Sequence, residues 1–475
     1  MQNRRTIIKL GTAAGFAAVL GIPLSLLRAE PKSLGIEGKF LKACNKGDLD
    51  KVKLLLQRSP ILLDVKDQLG RSGFALALLS GHQVIADFLK EKGYQSDLHE
   101  TALALDWERF NMLLGEETEQ TQVQVDANHP IGGNTMWAAA AGGAGSNIWR
   151  VYAQCGNPNS LLNNQGTTPL QKALRYPDLA RAEMTAANLL GNNGDPNLVG
   201  QGDWSPLAIA AARGSEVLVE MLIRKGAKID WTNSKGKSAL NLAEKYGHEP
   251  CWELLKKHQT VARTCQSSRE AYSAQGEKYQ LPDFKGIPLF LRRRMVGKSH
   301  GDFDYVKQAI AKDPRMAHSV ATTGEKSIEA CAHLNRKPIV ELLLKKGAPY
   351  SLPTAVMMND FSTVKRLLNQ DPLRIHERGP HDFALLWYPI IGRCDLEMMQ
   401  LLLDRGAKVE EQHYLGTTAL HWACQRGPIE VVALLVESGA DVNRIGRKFK
   451  AEGETPLQRT KDEKIKDYLK SKGAR

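Results

Sequence analysis

The chain has 475 residues, 42% hydrophobic and 24% charged, which excludes wholesale disorder and leaves room for several packed domains or one long array. Lysine and arginine outnumber the acids 64 to 52, for a net charge of +12. They are scattered through segments such as LLLKKGA and LIRKGAK, as at solvated helix ends, and no nucleic-acid partner is expected; Arg292-Arg293-Arg294 is the one dense run.

Residues 1–29 are a different material. Arg4-Arg5-Thr6-Ile7-Ile8-Lys9 precedes the mildly apolar run LGTAAGFAAVLGIPLSLL, and Ala29 follows a short polar step. Charged head, apolar middle and small exit residue are the parts of an export signal. The paired arginines followed by Ile-Ile-Lys resemble the bacterial twin-arginine signal, which implies export of a folded protein to the periplasm. Asn3 stands where that family carries Ser or Thr, and Leu27-Arg28-Ala29 is a poor cleavage site, so removal and retention as a membrane anchor both stay open. No other stretch approaches the length needed to span a bilayer. Seven cysteines show no C-x-x-C pair, and Cys44 and Cys424 each follow an alanine in an apolar run. That pattern predicts small buried thiols rather than a disulfide framework or a zinc site.

From Gly38 a short unit recurs. GKFLKACNKGDLDKVKLLLQRSP places apolar residues at helical spacing in two runs separated by Lys46-Gly47, with Asp48 set to cap the second and Pro60 to stop it. The paired runs return in LGRSGFALALLSGHQVIADFLKEKG, LHETALALDWERFNMLL, GNTMWAAAAGGAGSNIWRVYAQCGNPN and GTTPLQKALRYPDLARAEMTAANLLGNNGDPN. DWSPLAIAAARGSEVLVEMLIRKGAKIDWTN is close to an ideal unit, and GKSALNLAEKYGHEPCWELLKKHQ closes the first series with a polar helix. Residues 259–285 lack the pattern, are rich in Ser, Gln and charge, and read as a linker. The pattern restarts in IPLFLRRRMVGKSHGDFDYVKQAIAKDP. It continues through GEKSIEACAHLNRKPIVELLLKKGA, LPTAVMMNDFSTVKRLLNQDP, HDFALLWYPIIGRCDLEMMQLLLDRGAKVEE and LGTTALHWACQRGPIEVVALLVESGADVNRIG to a charged last unit. About thirteen helix pairs result, in arrays spanning 36–258 and 286–475. Gly47, Pro60, Gly70, Gly93 and Asp106 recur at an offset of 254 as Gly301, Pro314, Gly324, Gly347 and Asp360, which favours duplication of a whole array over simple continuation of the repeat.

The unit resembles the ankyrin repeat. The resemblance rests on Gly416-x-Thr418-x-Leu420-His421-x-Ala423, on Gly427, and on Gly439-Ala440-Asp441-Val442-Asn443. Weaker copies stand at Thr168-Pro169-Leu170, Ser205-Pro206-Leu207 and Thr455-Pro456-Leu457. It implies an all-α, ankyrin-type helical solenoid with projecting turns in two tandem arrays, elongated and two-lobed. Thr418, Thr168 and Ser205 would cap inner helices with their hydroxyls, and a unit this small must stack to bury its apolar face.

The resemblance also implies a scaffold that binds a protein partner at its turn tips and exposed inner-helix positions. Carried over residue by residue, it picks out Trp204, Arg213, Thr232, Ser234, Lys235, Arg175, Tyr176, Lys245 and Tyr246 in the first array, and His413, Tyr414, Gln425 and Arg426 in the second. Aromatic and Arg side chains are the types enriched at hot spots. Trp422 and Trp137 take framework positions, and His421 is expected to be a hydrogen-bonded repeat residue. His381 and Asp382 have the types for acid–base chemistry but no partner fixed by spacing. With no phosphate-cradling loop, nucleophile elbow or His pair at metal spacing, neither catalyst, cofactor nor metal is predicted. The expectation is an exported, non-enzymatic interaction protein. Its competitors are an enzyme or small-molecule binder with a site in the linker or between the arrays, and a basic solenoid lying on anionic envelope surfaces.

Overall fold

The computed structural model describes residues 35–115, 119–153, 156–160, 166–200, 204–260, 282–392, 395–413, 415–447 and 453–475. The export-signal segment, most of the linker and Tyr414 lie outside the described residues. The described residues form two compact units, divided between Ser96 and Asp97. Among the described residues the elements are helices, thirteen pairs in all, with isolated β-bridges where turns project between pairs. No helix among them is long and apolar enough to cross a membrane.

The first unit holds two pairs: Ile36–Lys46 with Leu49–Arg58, and Gly73–Leu79 with Gln83–Glu91. Gly47 ends the first helix in the left-handed conformation, φ 78°, and the Asp48 carboxylate accepts the Lys51 N–H at 3.1 Å to start the second. Pro60 converts the following residues to a 3-10 turn, Pro60–Asp64. Phe40, Cys44, Val52, Phe74 and Ile85 are 0–1% exposed and form the core. The residues 254 positions later behave alike: Asp302 caps through the Tyr305 N–H at 3.0 Å, and Pro314 opens the 3-10 turn Pro314–His318. The sequence offset therefore carries local structure with it.

In the second unit, five pairs lie between Leu98 and Thr260 and six between Leu289 and Ser471. The last six share one apolar cluster running from Met295 to Leu469. No single pair encloses its own interior, which is why the stack is the folding unit. At two inner helices a polar side chain in the first turn staples consecutive units. In Pro169–Leu174, Gln171 Oε1 accepts the N–H of its own cap residue Thr168 at 3.0 Å and that of Gly200 at 3.2 Å, while its Nε2 donates to the Trp204 carbonyl at 2.7 Å. A Cβ on Gly200 would sit 1.6 Å from the Gly166 carbonyl oxygen, so only glycine lets successive turns approach this closely. His421 does the same work in Ala419–Arg426: Nδ1 accepts the Thr418 N–H at 3.1 Å, and Nε2–H donates to the Glu454 carbonyl at 3.1 Å. The reading of Thr168 and Ser205 as caps holds, with Gln171 N–H and Ala208 N–H donating to their hydroxyls at 3.0 and 3.1 Å. Thr418 departs from it, because its hydroxyl faces the His421 ring at 3.0 Å.

The eleventh unit is irregular for a physical reason. His381 and Asp382 both sit at positive φ, 57° and 64°, over an aromatic floor in which Phe383 meets His413, Trp387 and Trp422 at 4.1, 5.3 and 5.7 Å. Pro389 falls in the first turn of Trp387–Gly392, where its missing N–H has no helical partner to lose. The strained turn reaches back to the outer helices Leu179–Gly191 and Glu216–Arg224. Asp382 takes Lys225 Nζ at 2.6 Å and Arg224 Nη2 at 3.1 Å, with Arg378 Nη1 at 3.7 Å. Against the upward pull of burial, these three cations hold the carboxyl below its ordinary range. Beside it His381 Nδ1 meets Asn192 Oδ1 at 3.1 Å, and farther along Arg447 pairs with Glu183 at 2.5 Å. Glu183 also accepts the Ser215 hydroxyl at 2.6 Å.

Three outcomes follow from this packing. Leu435→Ala, at a position with 0% exposure, will lower stability by about 2–5 kcal/mol, read from the denaturant midpoint. Asp382→Asn strips the carboxylate from three cations and will cost about 3 kcal/mol by the same assay; an unchanged midpoint contradicts the clamp. The third concerns pH. His99, 7% exposed and stacked on His129 at 4.6 Å, is pushed down to about 4 by burial and by the His129 charge. It binds fewer protons folded than unfolded. Its contribution is therefore whole above pH 6.5 and drains as pH falls toward 4, by roughly 3 kcal/mol. His99→Gln will flatten the fall in Tm across that window, and an equally steep profile in the variant contradicts the assignment.

Candidate interaction surface

Each inner helix ends at a capping residue, and these residues repeat in register. Arg175, Arg213 and Tyr246 take the position at the ends of Pro169–Leu174, Pro206–Ala212 and Ala239–Lys245. His300 and His333 take it at the ends of Leu289–Ser299 and Ser327–Ala332. Alanines pack inside these helices, among them Ala173, Ala210, Ala211, Ala243, Ala330 and Ala332, and the capping residue is the first side chain past the last turn.

The predicted residues divide by what their polar atoms do. Thr232, Ser234, Lys235, Lys245, Gln425 and Arg426 are exposed, and Tyr246 is 38% exposed with Lys245 Nζ 5.1 Å from its ring centroid. Arg426 lies over the Trp422 ring at 5.0 Å. Trp204 and Tyr176 are half-buried; the Tyr176 hydroxyl accepts from Arg181 Nη1 at 3.2 Å. Two expectations are corrected. His413 is not a surface residue: it is 0% exposed, lies 4.1 Å from the Phe383 ring and bonds through Nε2 to the His381 carbonyl at 2.9 Å. Arg213 is spent internally, donating to the carbonyls of Leu174 and Pro177 at 3.0 Å each and to that of Tyr176, which ties down the end of the preceding inner helix. Trp422 and Trp137, at 8% and 1% exposure, are framework as expected.

Arg175 behaves otherwise. It is 9% exposed, and its Nε and Nη2 have no hydrogen-bond acceptor. One turn earlier Lys172 lies over the Trp137 ring at 4.9 Å. Burial pushes Arg175 down to about 10; burial, aided by the Arg175 charge, pushes Lys172 down to about 8. The spot holds two cations and buried donors without an acceptor.

In the second array the same register carries a group that spacing along the sequence did not bring together. Glu325, 5% exposed in the turn before Ser327–Ala332, faces three imidazoles. Its Oε1 lies 3.4 Å from His333 Nδ1 and 3.9 Å from His300 Nε2, and its Oε2 lies 3.6 Å from His381 Nε2. Against the upward pull of burial, the histidines keep the carboxyl below its ordinary range. The readable signal was the register: His300 and His333 are equivalent positions of adjacent repeats. A second cluster, Asp97, His99 and His129, is closed on itself. His129 Nε2 donates to Asp97 at 2.9 Å, its Nδ1 accepts the Ile131 N–H at 3.3 Å, and His99 Nε2 bonds the Ala127 carbonyl at 3.0 Å.

Residues 179–264 and 352–446 match the family model for ankyrin repeats in three copies. An 80-residue stretch is 42% identical to B-cell lymphoma 3 protein homolog of Mus musculus, covering 17% of each chain. Ankyrin repeat and SOCS box protein 16 of Homo sapiens is 26% identical over 248 residues, 49% of this chain and 52% of that one. The chain spans a fifth or less of the first curated relatives it matches, 17% and 20% of their lengths. Among solved structures, the human ASB11 ankyrin repeat domain aligns with a TM-score of 0.26 at 18% identity, over 57% of this chain and 99% of that one. Helix pairs, projecting turns and inter-repeat staples agree with the family match, and residues 179–264 and 352–446 carry ankyrin repeats.

Proposed function

We infer that the protein is an exported, non-enzymatic scaffold that binds a protein partner through its inner-helix row and turn tips. One observation carries the reading: a nearly buried arginine on the inner-helix register keeps two N–H groups without acceptors. Leaving such donors unmet is costly, and Arg175 would swing outward to meet a partner carboxylate, the group that matches a guanidinium fork. The exposed Tyr246 and Lys245, two units along the same row, supply an amphipathic contact of the kind that anchors interfaces. An acidic segment of the partner, laid along the row from Arg175 to Tyr246, fits both. Catalysis has no support of this kind: His381 and Asp382 are engaged by Asn192 and by Arg224 and Lys225. Export rests on the Arg4-Arg5 segment.

A photo-crosslinking residue placed at Tyr246 in the full chain, expressed in its own host, will trap one discrete protein adduct. Arg175→Glu will reduce that adduct at least tenfold, and the same crosslinker at Glu220, on the outer helix, will give none. Equal labelling from both faces contradicts the assignment of the inner row. Replacing Arg4 and Arg5 by lysine will move the protein from the periplasmic to the cytoplasmic fraction; unchanged fractionation contradicts export by the twin-arginine route.

A further inference from the structure

We propose that His300, His333 and Glu325 form a binding site for a zinc-class divalent cation, with His381 as the residue that orients the carboxylate. Ligand atoms from the three residues all lie within 4.8 Å of one another. Two donors held 2.1 Å from an ion at the tetrahedral angle stand about 3.4 Å apart. The observed separations of 3.4 and 3.9 Å from Glu325 Oε1 fit that spacing, and neither contact is a hydrogen bond.

The independent sign is Glu325 itself. Its side chain is 6% exposed, and Oε1 has no hydrogen-bond partner although three imidazoles surround the carboxylate. A carboxylate oxygen buried without a donor is strongly unfavourable, and a cation between it and the ring nitrogens removes the deficit. The outer contacts are those a metal site uses. His300 Nδ1 lies 3.1 Å from the Val296 carbonyl and 3.0 Å from that of Gly297, which places its proton on Nδ1 and leaves the Nε2 lone pair aimed at Glu325. His381 is held through Nδ1 by Asn192, so its Nε2 presents to the second carboxylate oxygen. The closed cluster of Asp97, His99 and His129 makes the contrast, since there His129 uses both ring nitrogens and His99 Nε2 is bonded.

Two imidazoles and one carboxylate select zinc, cobalt or nickel over the hard cations magnesium and calcium. Three protein ligands leave a fourth tetrahedral position for water. The ion joins the ends of two adjacent inner helices to a projecting turn, and through His381 to the turn that contacts the first array. This site stands apart from the Arg175 row, and neither depends on the other.

The test uses the tag-free full chain, stripped with chelator and dialysed. Titrated with Zn2+, it will bind one equivalent and rise in Tm as the ion accumulates. Titrated with Co2+, it will develop the intense visible absorption of a tetrahedral site. Glu325→Gln and His333→Ala will weaken Zn2+ binding by more than a hundredfold, and His381→Ala by about tenfold, as expected for an orienting partner. His129→Ala will leave it unchanged. His300 is the most exposed ligand, its side chain 36% exposed, so His300→Ala tests the site even where the buried variants fail to fold. Circular dichroism of the metal-free variants separates lost folding from lost ligation. Absence of a stoichiometric site in the folded wild-type chain, binding that survives His300→Ala undiminished, or loss of binding in His129→Ala overturns the proposal.

Discussion

The structure is tied at Pro169–Leu174 and Ala419–Arg426 by a polar side chain in the first helical turn that serves two repeats at once. Gln171 and His421 differ in chemistry, yet each accepts the N–H of its own cap residue and donates to a carbonyl of the following turn. Cap and neighbour are thereby satisfied by one group. Glu329 and Asn241 keep the first half of the arrangement, accepting the N–H of Lys326 and Ser238 at 2.9 and 3.0 Å. Where it occurs, the polar residue meets a backbone donor at a helix start buried between turns, where leaving it unmet is costly. The acceptor half requires the neutral tautomer of His421, and burial, against its hydrogen bond to Glu454, lowers its proton affinity.

That rule explains how much of the fold was legible. Caps at Asp48, Thr168 and Ser205 stand where the sequence placed them, because a cap is a local object: one side chain, an N–H three residues on, and a hydrophobic run behind it. Helix pairing follows from the period of the apolar residues. Thr418 was misjudged in detail only, since its hydroxyl and the His421 ring compete for the same donors.

What escaped the sequence was everything made between distant segments. Asp382 meets Arg224 across 158 positions, and no spacing rule connects an acid in a projecting turn to the last turn of an outer helix. His413 was misplaced for a related reason. A turn residue ahead of an inner helix is normally wet, but here the aromatic floor of Phe383, Trp387 and Trp422 closes over it. Those three residues were readable singly as framework or loop; only packing shows that they make a cluster. The Glu325 group was missed because its members are polar residues of three different elements, each with an unremarkable neighbourhood in sequence.

The inner-helix capping register unites these observations. Its geometry is fixed by the repeat: the inner helix ends, the chain turns away, and one side chain is left at the helix end. What that side chain does is then set by its neighbours rather than by the motif. Arg213 finds three carbonyls at the end of the preceding helix and becomes structural. Arg175, one unit earlier, has Lys172 beside it instead and keeps unmet donors. His300 and His333 face a buried carboxylate and converge on it. A repeat array can therefore hold its backbone constant and write a framework clamp, an anion-seeking arginine and a nitrogen–carboxylate cluster at the same position of successive units. The residues the repeat leaves free at that one register, rather than those it requires, carry what distinguishes this chain.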